Sequence, residues 1–263
     1  MEYKESSSKN SGDTILKLSD ICMRYHTPRG ETIAIKDLNF DVYSKEFLTI
    51  LGPSGCGKST VLSLISGLIS PSHGKIEENI GEKCEIQKIG YMLQKDYLLG
   101  WRTIEQNVLL GLEIRKKLNN ETKEYAIKLL KKYGLGGFLK HYPHQLSGGM
   151  RQKAALIRTL AVKPQILLLD EPFSALDYQT RINLSEEVLQ IIKGESKTAI
   201  LVTHDISEAI SLSDRIIIFS KRPSRVKKTI TLDFNNKNLS LEEKRKNKKF
   251  NDYFDIIWGE LSD

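Results

Sequence analysis

The sequence predicts an α/β protein with a parallel-sheet core, an antiparallel β subdomain ahead of it and a helical subdomain inserted within it. Three observations predict this. Apolar runs at 47–51, 166–169, 198–203 and 215–219 lack the alternation of half-exposed strands and are separated by helix-like segments, the pattern of parallel strands covered on both faces. The first run leads directly into Gly52-Pro53-Ser54-Gly55-Cys56-Gly57-Lys58-Ser59-Thr60, a G-x-x-x-x-G-K-[ST] phosphate loop. Between about 100 and 160 the strand signal gives way to helical spacing before the sheet resumes.

Taken in order, residues 1–13 are polar and Ser-rich, with too little apolar content to fold, and are expected to be disordered. From 15 to 43 the pattern alternates, clearest in Leu38, Phe40 and Val42 around Asn39 and Asp41, which predicts half-buried antiparallel strands. Val61, Leu64, Ile65 and Leu68 follow the phosphate loop at helical spacing. Residues 70–74 read as a turn and 86–93 as a strand. In the helical region, Thr103-Ile104-Glu105-Gln106 has capping-box spacing, and 122–133 carries Ala126, Leu129 and Leu130 on one face before a stop at Gly134. Phe250, Phe254, Ile257 and Leu261 mark one amphipathic helix near the end, expected to pack its apolar face on another part of the protein. The expected organisation is a nucleotide-binding domain over 14–232 and a basic, partly helical tail over 233–263.

With 263 residues the chain can build one large domain or one domain with an inserted subdomain. No stretch approaches the roughly 18 apolar residues of a membrane span, and the polar start has no signal-peptide core, so a soluble, cytoplasmic protein is expected. Cys22, Cys56 and Cys84 share no metal-ligand spacing and read as free thiols. The net charge of +7 is local: residues 221–250 hold eleven Lys and Arg against three Asp and Glu, and the remainder is about neutral. A nucleic-acid-binding face is therefore not indicated; the tail is a solvated charged helix or a contact with an anionic membrane leaflet.

The chemistry begins at the phosphate loop, whose backbone N–H groups cradle phosphates while Lys58 supplies charge and Ser59 a hydroxyl for Mg²⁺. At the C-terminal end of the run 166–169, Asp170 is placed to hold the Mg²⁺ shell and Glu171 to polarise a water. An acidic pair closing a strand is by itself an ordinary turn; behind a phosphate loop it reads as the other half of a metal site. Leu146-Ser147-Gly148-Gly149-Met150 opens a second helix with small residues, another place for an anion. Two anion sites of different design in one chain call for an explanation.

The sequence resembles the nucleotide-binding subunits of ABC transporters, whose signature is this Leu-Ser-Gly-Gly motif, over about 15–228. The resemblance implies a P-loop NTPase, RecA-like fold and a head-to-tail homodimer in which the signature of one copy closes on the ATP held by the phosphate loop of the other. It also implies roles: His204 as the switch histidine at the γ-phosphate, Glu171 as general base, Tyr25 stacked on adenine, Gln94 at Mg²⁺ and the membrane subunit, and Ser174-Ala175-Leu176-Asp177 as the D-loop. The segment 97–108, Tyr-Leu-Leu-Gly-Trp-Arg-Thr-Ile-Glu-Gln-Asn-Val, is similar to a Leu-Leu-Pro-Trp-x-Thr stretch of nitrate, sulfonate and taurine importer ATPases, with Gly100 in place of the proline. The implied ligands are ATP and Mg²⁺. The implied partners are integral-membrane permease subunits and, indirectly, an extracytoplasmic solute-binding protein, with the chain peripheral on the cytoplasmic face of the membrane. A soluble ABC-type ATPase acting on nucleic acid or ribosomes is the alternative, although the tandem cassettes or long coiled-coil insertions usual in such proteins are missing here.

Overall fold

Two sheets carry the fold in the computed structural model, which describes residues 13–27, 30–79, 89–174, 176–234 and 239–262. In chain order the strands are β1 (Thr14–Thr27), β2 (Gly30–Tyr43), β3 (Phe47–Leu51), β4 (His73–Glu78), β5 (Ile89–Met92), β6 (Ile166–Asp170), β7 (Thr198–Val202), β8 (Arg215–Phe219) and β9 (Val226–Thr231). The helices are α1 (Lys58–Ile65), α2 (Ile104–Ile114), α3 (Asn120–Lys132), α4 (Gly148–Ala161), α5 (Tyr178–Gly194), α6 (Ile206–Leu212), α7 (Leu241–Lys246) and α8 (Lys248–Ser262). Strands β2 and β1 form the antiparallel pair expected from the alternating N-terminal pattern, and β4, which the sequence did not mark as a strand, pairs with the other side of β1. The larger sheet has the order β5-β6-β7-β3-β8-β9; its first five strands are parallel, and β9 is an antiparallel edge that the sequence reading did not anticipate.

Continuous apolar runs bury both faces of the parallel strands because successive side chains point to opposite sides. On β6, Ile166 and Leu168 join a core shared with α1 and the antiparallel sheet, while Leu167 and Leu169 face a second core built from α2, α3, α4 and α5. The helical subdomain keeps its expected caps: Thr103 and Gln106 form a reciprocal capping box on α2, and Gly134, at φ 80°, follows the end of α3.

Three details differ from the sequence reading. Helix α1 stops at Ile65, and Leu68 is 69% exposed rather than on the buried face. Gly67 takes a left-handed φ of 71°, which turns the chain so that the Gly67 and Leu68 N–H groups bond back to the Leu64 and Ser63 carbonyls. The turn expected over 70–74 is shorter, since His73 already pairs with Cys22 in the antiparallel sheet. The expected disordered start falls outside the described residues except at Asp13, whose carbonyl accepts the Ser44 N–H at 2.9 Å. Cys84 and the first three residues of the expected strand 86–93 also lie outside them; Cys22 and Cys56 are free thiols.

The last helix packs by its apolar face, as its spacing predicts. Phe250 and Ile257 are buried, with Phe254 and Leu261 half-buried beside them, against Ile206, Ile210 and Ile218. Lys244 of α7 is buried as well; its ammonium donates to the Ser211 carbonyl at 2.8 Å, and burial pulls its pKa down to about 8. Among the described residues, no helix is long and apolar enough to cross a membrane.

Candidate nucleotide-binding site

The phosphate loop joins β3, buried at every residue, to α1. At its start Gly52 lies so close to β8 that a Cβ there would stand 3.0 Å from Phe219 Cβ and 2.9 Å from Cys56 Sγ. At its end Gly57 adopts a left-handed φ of 118° and caps α1 without a side chain, and the first helical turn carries no acidic residue. The leading N–H groups and the positive end of the helix dipole therefore face into the loop. Buried Lys58 folds over the loop, its ammonium donating to the Gly52 and Pro53 carbonyls at 2.7 and 3.0 Å. Ser54, Gly55 and Cys56 form the tip of the loop, tightened by the Cys56 N–H bonding to the Pro53 carbonyl at 3.2 Å. Tyr25, at the far end of β1, is 39% exposed, and its hydroxyl is 3.5 Å from Thr60 Oγ1, which puts the ring beside the first turn of α1.

Across from the loop, β6 ends in the two carboxylates. Asp170 accepts the Ser59 hydroxyl on Oδ1 at 3.1 Å and the Tyr91 hydroxyl on Oδ2 at 3.4 Å. Burial raises the Asp170 pKa, opposed by the Ser59 bond and reinforced by the Glu171 charge. Tyr91 is pushed up to about 12, first by burial and then by the Asp170 charge. Glu171 turns away from the strand at a left-handed φ of 44°, its N–H bonded to the Val202 carbonyl at 2.9 Å. That turn places its carboxylate between two loops: Oε1 is 3.3 Å from His204 Nδ1, and Oε2 accepts the Gln94 amide at 3.4 Å. Gln94 also donates to Ser174 Oγ at 3.2 Å. A hydroxyl, a carboxylate and an amide around one strand end are hard oxygen donors of the kind Mg²⁺ takes, so Ser59, Asp170 and Gln94 fit that ion chemically.

The structure thus gathers Tyr25, Gly52 to Thr60, Gln94, Asp170, Glu171 and His204 along one edge of the sheet. The signature residues stand at the start of α4, which packs on α2, α3, α5 and β5. Ser147 spends its hydroxyl as the cap of that helix, accepting the Met150 N–H at 3.3 Å. Arg151 pairs with Asp96 at 3.1 Å and Gln152 donates to the Gln94 carbonyl at 3.4 Å, which couples the signature helix to the Gln94 loop. Asp177 caps α5 by accepting the Thr180 N–H at 3.0 Å, and the Thr180 hydroxyl, followed by that N–H, holds its carboxyl below the ordinary range. Ala175, between these groups, lies outside the described residues.

Several residues of this region went unremarked in the sequence. Tyr91 is a polar group within an otherwise apolar strand, with no spacing to mark it. Asn107, fully buried on α2, holds the segment after Gln94: its Oδ1 accepts the Leu99 N–H at 2.7 Å, and its amide donates to the Leu99, Arg102 and Thr103 carbonyls at 3.0 to 3.1 Å. Arg158 holds the same segment from α4 through the Asp96 and Tyr97 carbonyls at 2.6 and 2.8 Å.

Comparison with known proteins identifies the family and the fold. The family model described as "ABC transporter" matches residues 35–174. YtlC of Bacillus subtilis (strain 168), described as an uncharacterized ABC transporter ATP-binding protein, is 46% identical over 254 residues, spanning 95% of this chain and 96% of its own. The taurine import ATP-binding protein TauB of Yersinia pestis bv. Antiqua (strain Antiqua) is 41% identical over 202 residues, 76% of this chain and 79% of its own. The ATP-binding cassette MJ0796, solved as a dimer bound to ADP and Pi in a post-hydrolysis state, superposes with a TM-score of 0.69 at 31% identity, covering 83% of this chain and 99% of the cassette. None of these supports an ATPase acting on nucleic acid. The chain belongs to the ATP-binding subunits of ABC transporters, enzymes that bind ATP and couple its hydrolysis to transport.

Proposed function

We propose that two copies of this chain close head to tail over two ATP molecules and so energise an importer for a small anion of the nitrate, sulfonate or taurine type. The observation that carries the ATPase part is the Glu171 carboxylate held between His204 and Gln94, one residue beyond the Asp170–Ser59 contact. Each ATP is clamped by Gly52 to Thr60 of one copy and by Ser147, Gly148 and Gly149 of the other, with Asp177 facing the partner site and Tyr25 against the adenine. Lys58 leaves the Gly52 and Pro53 carbonyls for the terminal phosphates. Ser59, Asp170 and Gln94 would hold Mg²⁺, which would supply neutralisation of phosphate charge. Glu171 takes a proton from the water that attacks the γ-phosphorus, the bond to the β–γ bridging oxygen breaks, and His204 stabilises the charge on the γ-phosphoryl oxygens. Product release reopens the pair.

Similarity to TauB and the segment 97–108 support the anion class. That segment presents Tyr97 and Trp101 to solvent, 58% and 76% exposed, beside the Gln94 loop, a surface suited to a permease. The subunit then sits on the cytoplasmic face of the membrane through that permease, served by an extracytoplasmic solute-binding protein. In Glu171→Gln, ATP turnover is expected to fall by about 10² to 10⁴ with nucleotide affinity retained. Native-rate hydrolysis by that variant rules out the base assignment. For the substrate, the assembled transporter in liposomes is expected to hydrolyse ATP faster when its solute-binding protein is loaded with taurine, an alkanesulfonate or nitrate. Stimulation only by an uncharged or cationic solute rules out the anion class.

A further inference from the structure

Arg181, on the first turn of α5, joins two loops of the site. One guanidinium nitrogen, Nη1, donates to Asp205 Oδ2 at 3.3 Å, and the other, Nη2, donates to the Leu176 carbonyl at 3.2 Å. Asp205 follows His204 directly and is fixed on every side. Its Oδ1 accepts the Glu208 N–H at 3.0 Å as the cap of α6, and its own N–H bonds to Thr203 Oγ1 at 3.1 Å. The Thr203 hydroxyl in turn donates to the buried Glu208 carboxylate, and the Thr203 N–H reaches the Ile50 carbonyl of β3 at 3.4 Å. His204 is therefore carried on a turn whose two flanks are anchored, with its own side chain 62% exposed. On the other arm, Leu176 lies against the signature: its Cδ2 is 3.3 Å from the position a Cβ on Gly148 would occupy.

We propose that Arg181 is a positioning residue that links His204, at the ATP held by this chain's own phosphate loop, to Leu176 and Gly148, which face the ATP held by the partner copy. The inference rests on the head-to-tail reading above and adds to it the side chain that carries information between the two sites. A planar guanidinium suits the task because its two nitrogens bond to separate loops at fixed relative positions, which an ammonium cannot reproduce. Fold stability alone gives little reason for the arrangement. The Arg181–Asp205 pair is about one-third exposed, a setting in which an ion pair contributes little, and Arg181 Nε is buried without a hydrogen-bond partner. Displacing His204 or Asp205 at one site thus shifts the Leu176 carbonyl's partner and, through Leu176, the surface offered to the other nucleotide.

The test uses the full chain and compares wild type, Arg181→Ala and Arg181→Lys by ATPase rate against ATP concentration, fluorescent-nucleotide affinity and thermal melting. Wild type is expected to be cooperative in ATP. Arg181→Ala is expected to keep nucleotide affinity within about twofold while its kcat falls about fivefold or more and its Hill coefficient drops toward 1. Arg181→Ala and Arg181→Lys are both expected to melt close to the wild type, and Arg181→Lys, able to restore the Asp205 arm alone, is expected not to regain cooperativity. Unchanged cooperativity in Arg181→Ala, recovery of cooperativity by Lys, or a wild type without cooperativity overturns the proposal. Glu171→Gln run alongside separates the two readings: if it is inactive while Arg181→Ala behaves as wild type, the coupling role fails and the ATPase mechanism stands.

Discussion

Lys58 and Glu208 show how much one buried charged group can decide. The Lys58 ammonium has carbonyl partners within its own loop, so it can be buried without a bound phosphate. In Lys58→Ala both those bonds and the charge offered to a nucleotide are lost. Nucleotide affinity is expected to weaken about tenfold to a hundredfold, the equivalent of a charge-assisted bond, with turnover falling alongside it. Calorimetric titration showing unchanged affinity removes Lys58 from the phosphate site. Glu208 is 7% exposed, with Oε2 bonded to Thr203 and Oε1 without a hydrogen-bond partner, and burial, with Asp205 nearby, raises its pKa from 4.5 to about 7. The folded protein keeps this proton to about pH 7, whereas the unfolded chain releases it near 4.5. Stability from this group is therefore complete below pH 4.5, falls as pH rises and is gone above 7, a change of about 3 kcal/mol. Glu208→Gln does not titrate, so urea unfolding at pH 5 and pH 7.5 is expected to show a smaller loss with rising pH in the variant. Equal losses in both proteins contradict the assigned burial effect.

Among the elements, the segment from Tyr97 to Thr103 depends most on a single neighbour. It has no ladder of its own, and Asn107 supplies one with four hydrogen bonds from the buried face of α2. Asn107→Ala removes these bonds; the Leu99 and Thr103 carbonyls keep backbone partners, whereas the Leu99 N–H and the Arg102 carbonyl lose the Asn107 bond that holds them. The substitution is expected to cost about 1 to 3 kcal/mol, to speed amide exchange across 97–103 and to leave nucleotide affinity unchanged, since the Asn107 side-chain bonds go to Leu99, Arg102 and Thr103 and not to the phosphate loop. Exchange protected as in the wild type shows that other groups hold the segment. Asn107 also shows where sequence reading ends. Strands β3, β6, β7 and β8 were legible because burial on both faces imposes a continuous apolar run, and the phosphate loop because its geometry restricts residue type at fixed spacing. Asn107 is one polar residue within an apolar face, and Arg181 meets an aspartate 24 positions away, so neither leaves a periodic trace. Edge strand β9 was missed for a related reason: only Ile230 of its six residues is buried, and its lysines read as tail. The stop of α1 was present in Gly67, but the helical spacing of Leu68 outweighed it.

Among the described residues three apolar cores flank the larger sheet, the second on one face and the first and third on the other, and the C-terminal helices complete the third. The sequence locates the basic charge in the tail and leaves its destination open between solvent and a membrane surface. The packing agrees with the amphipathic spacing of the last helix: Phe250 and Ile257 turn inward onto α6 and β8, while of the basic residues Lys227 and Lys228 pair with Glu260 and Lys244 is buried beneath the ring of Phe234. A tail docked in this way contributes to stability without entering the nucleotide site. Ile257 is fully buried, whereas the adjacent Trp258 is 60% exposed and stacks on Phe254 with ring centroids 6.3 Å apart. Ile257→Ala removes packed methyl groups from a closed core and is expected to cost about 2 to 5 kcal/mol in urea unfolding. Trp258→Ala gives up an exposed stacking contact and is expected to cost about 1 kcal/mol. Both variants are expected to bind ATP with wild-type affinity at temperatures where they remain folded. If Trp258→Ala costs as much as Ile257→Ala, the helix presents a different face to the sheet. If Ile257→Ala weakens ATP binding without a loss of stability, the tail acts on the nucleotide site and not on the third core.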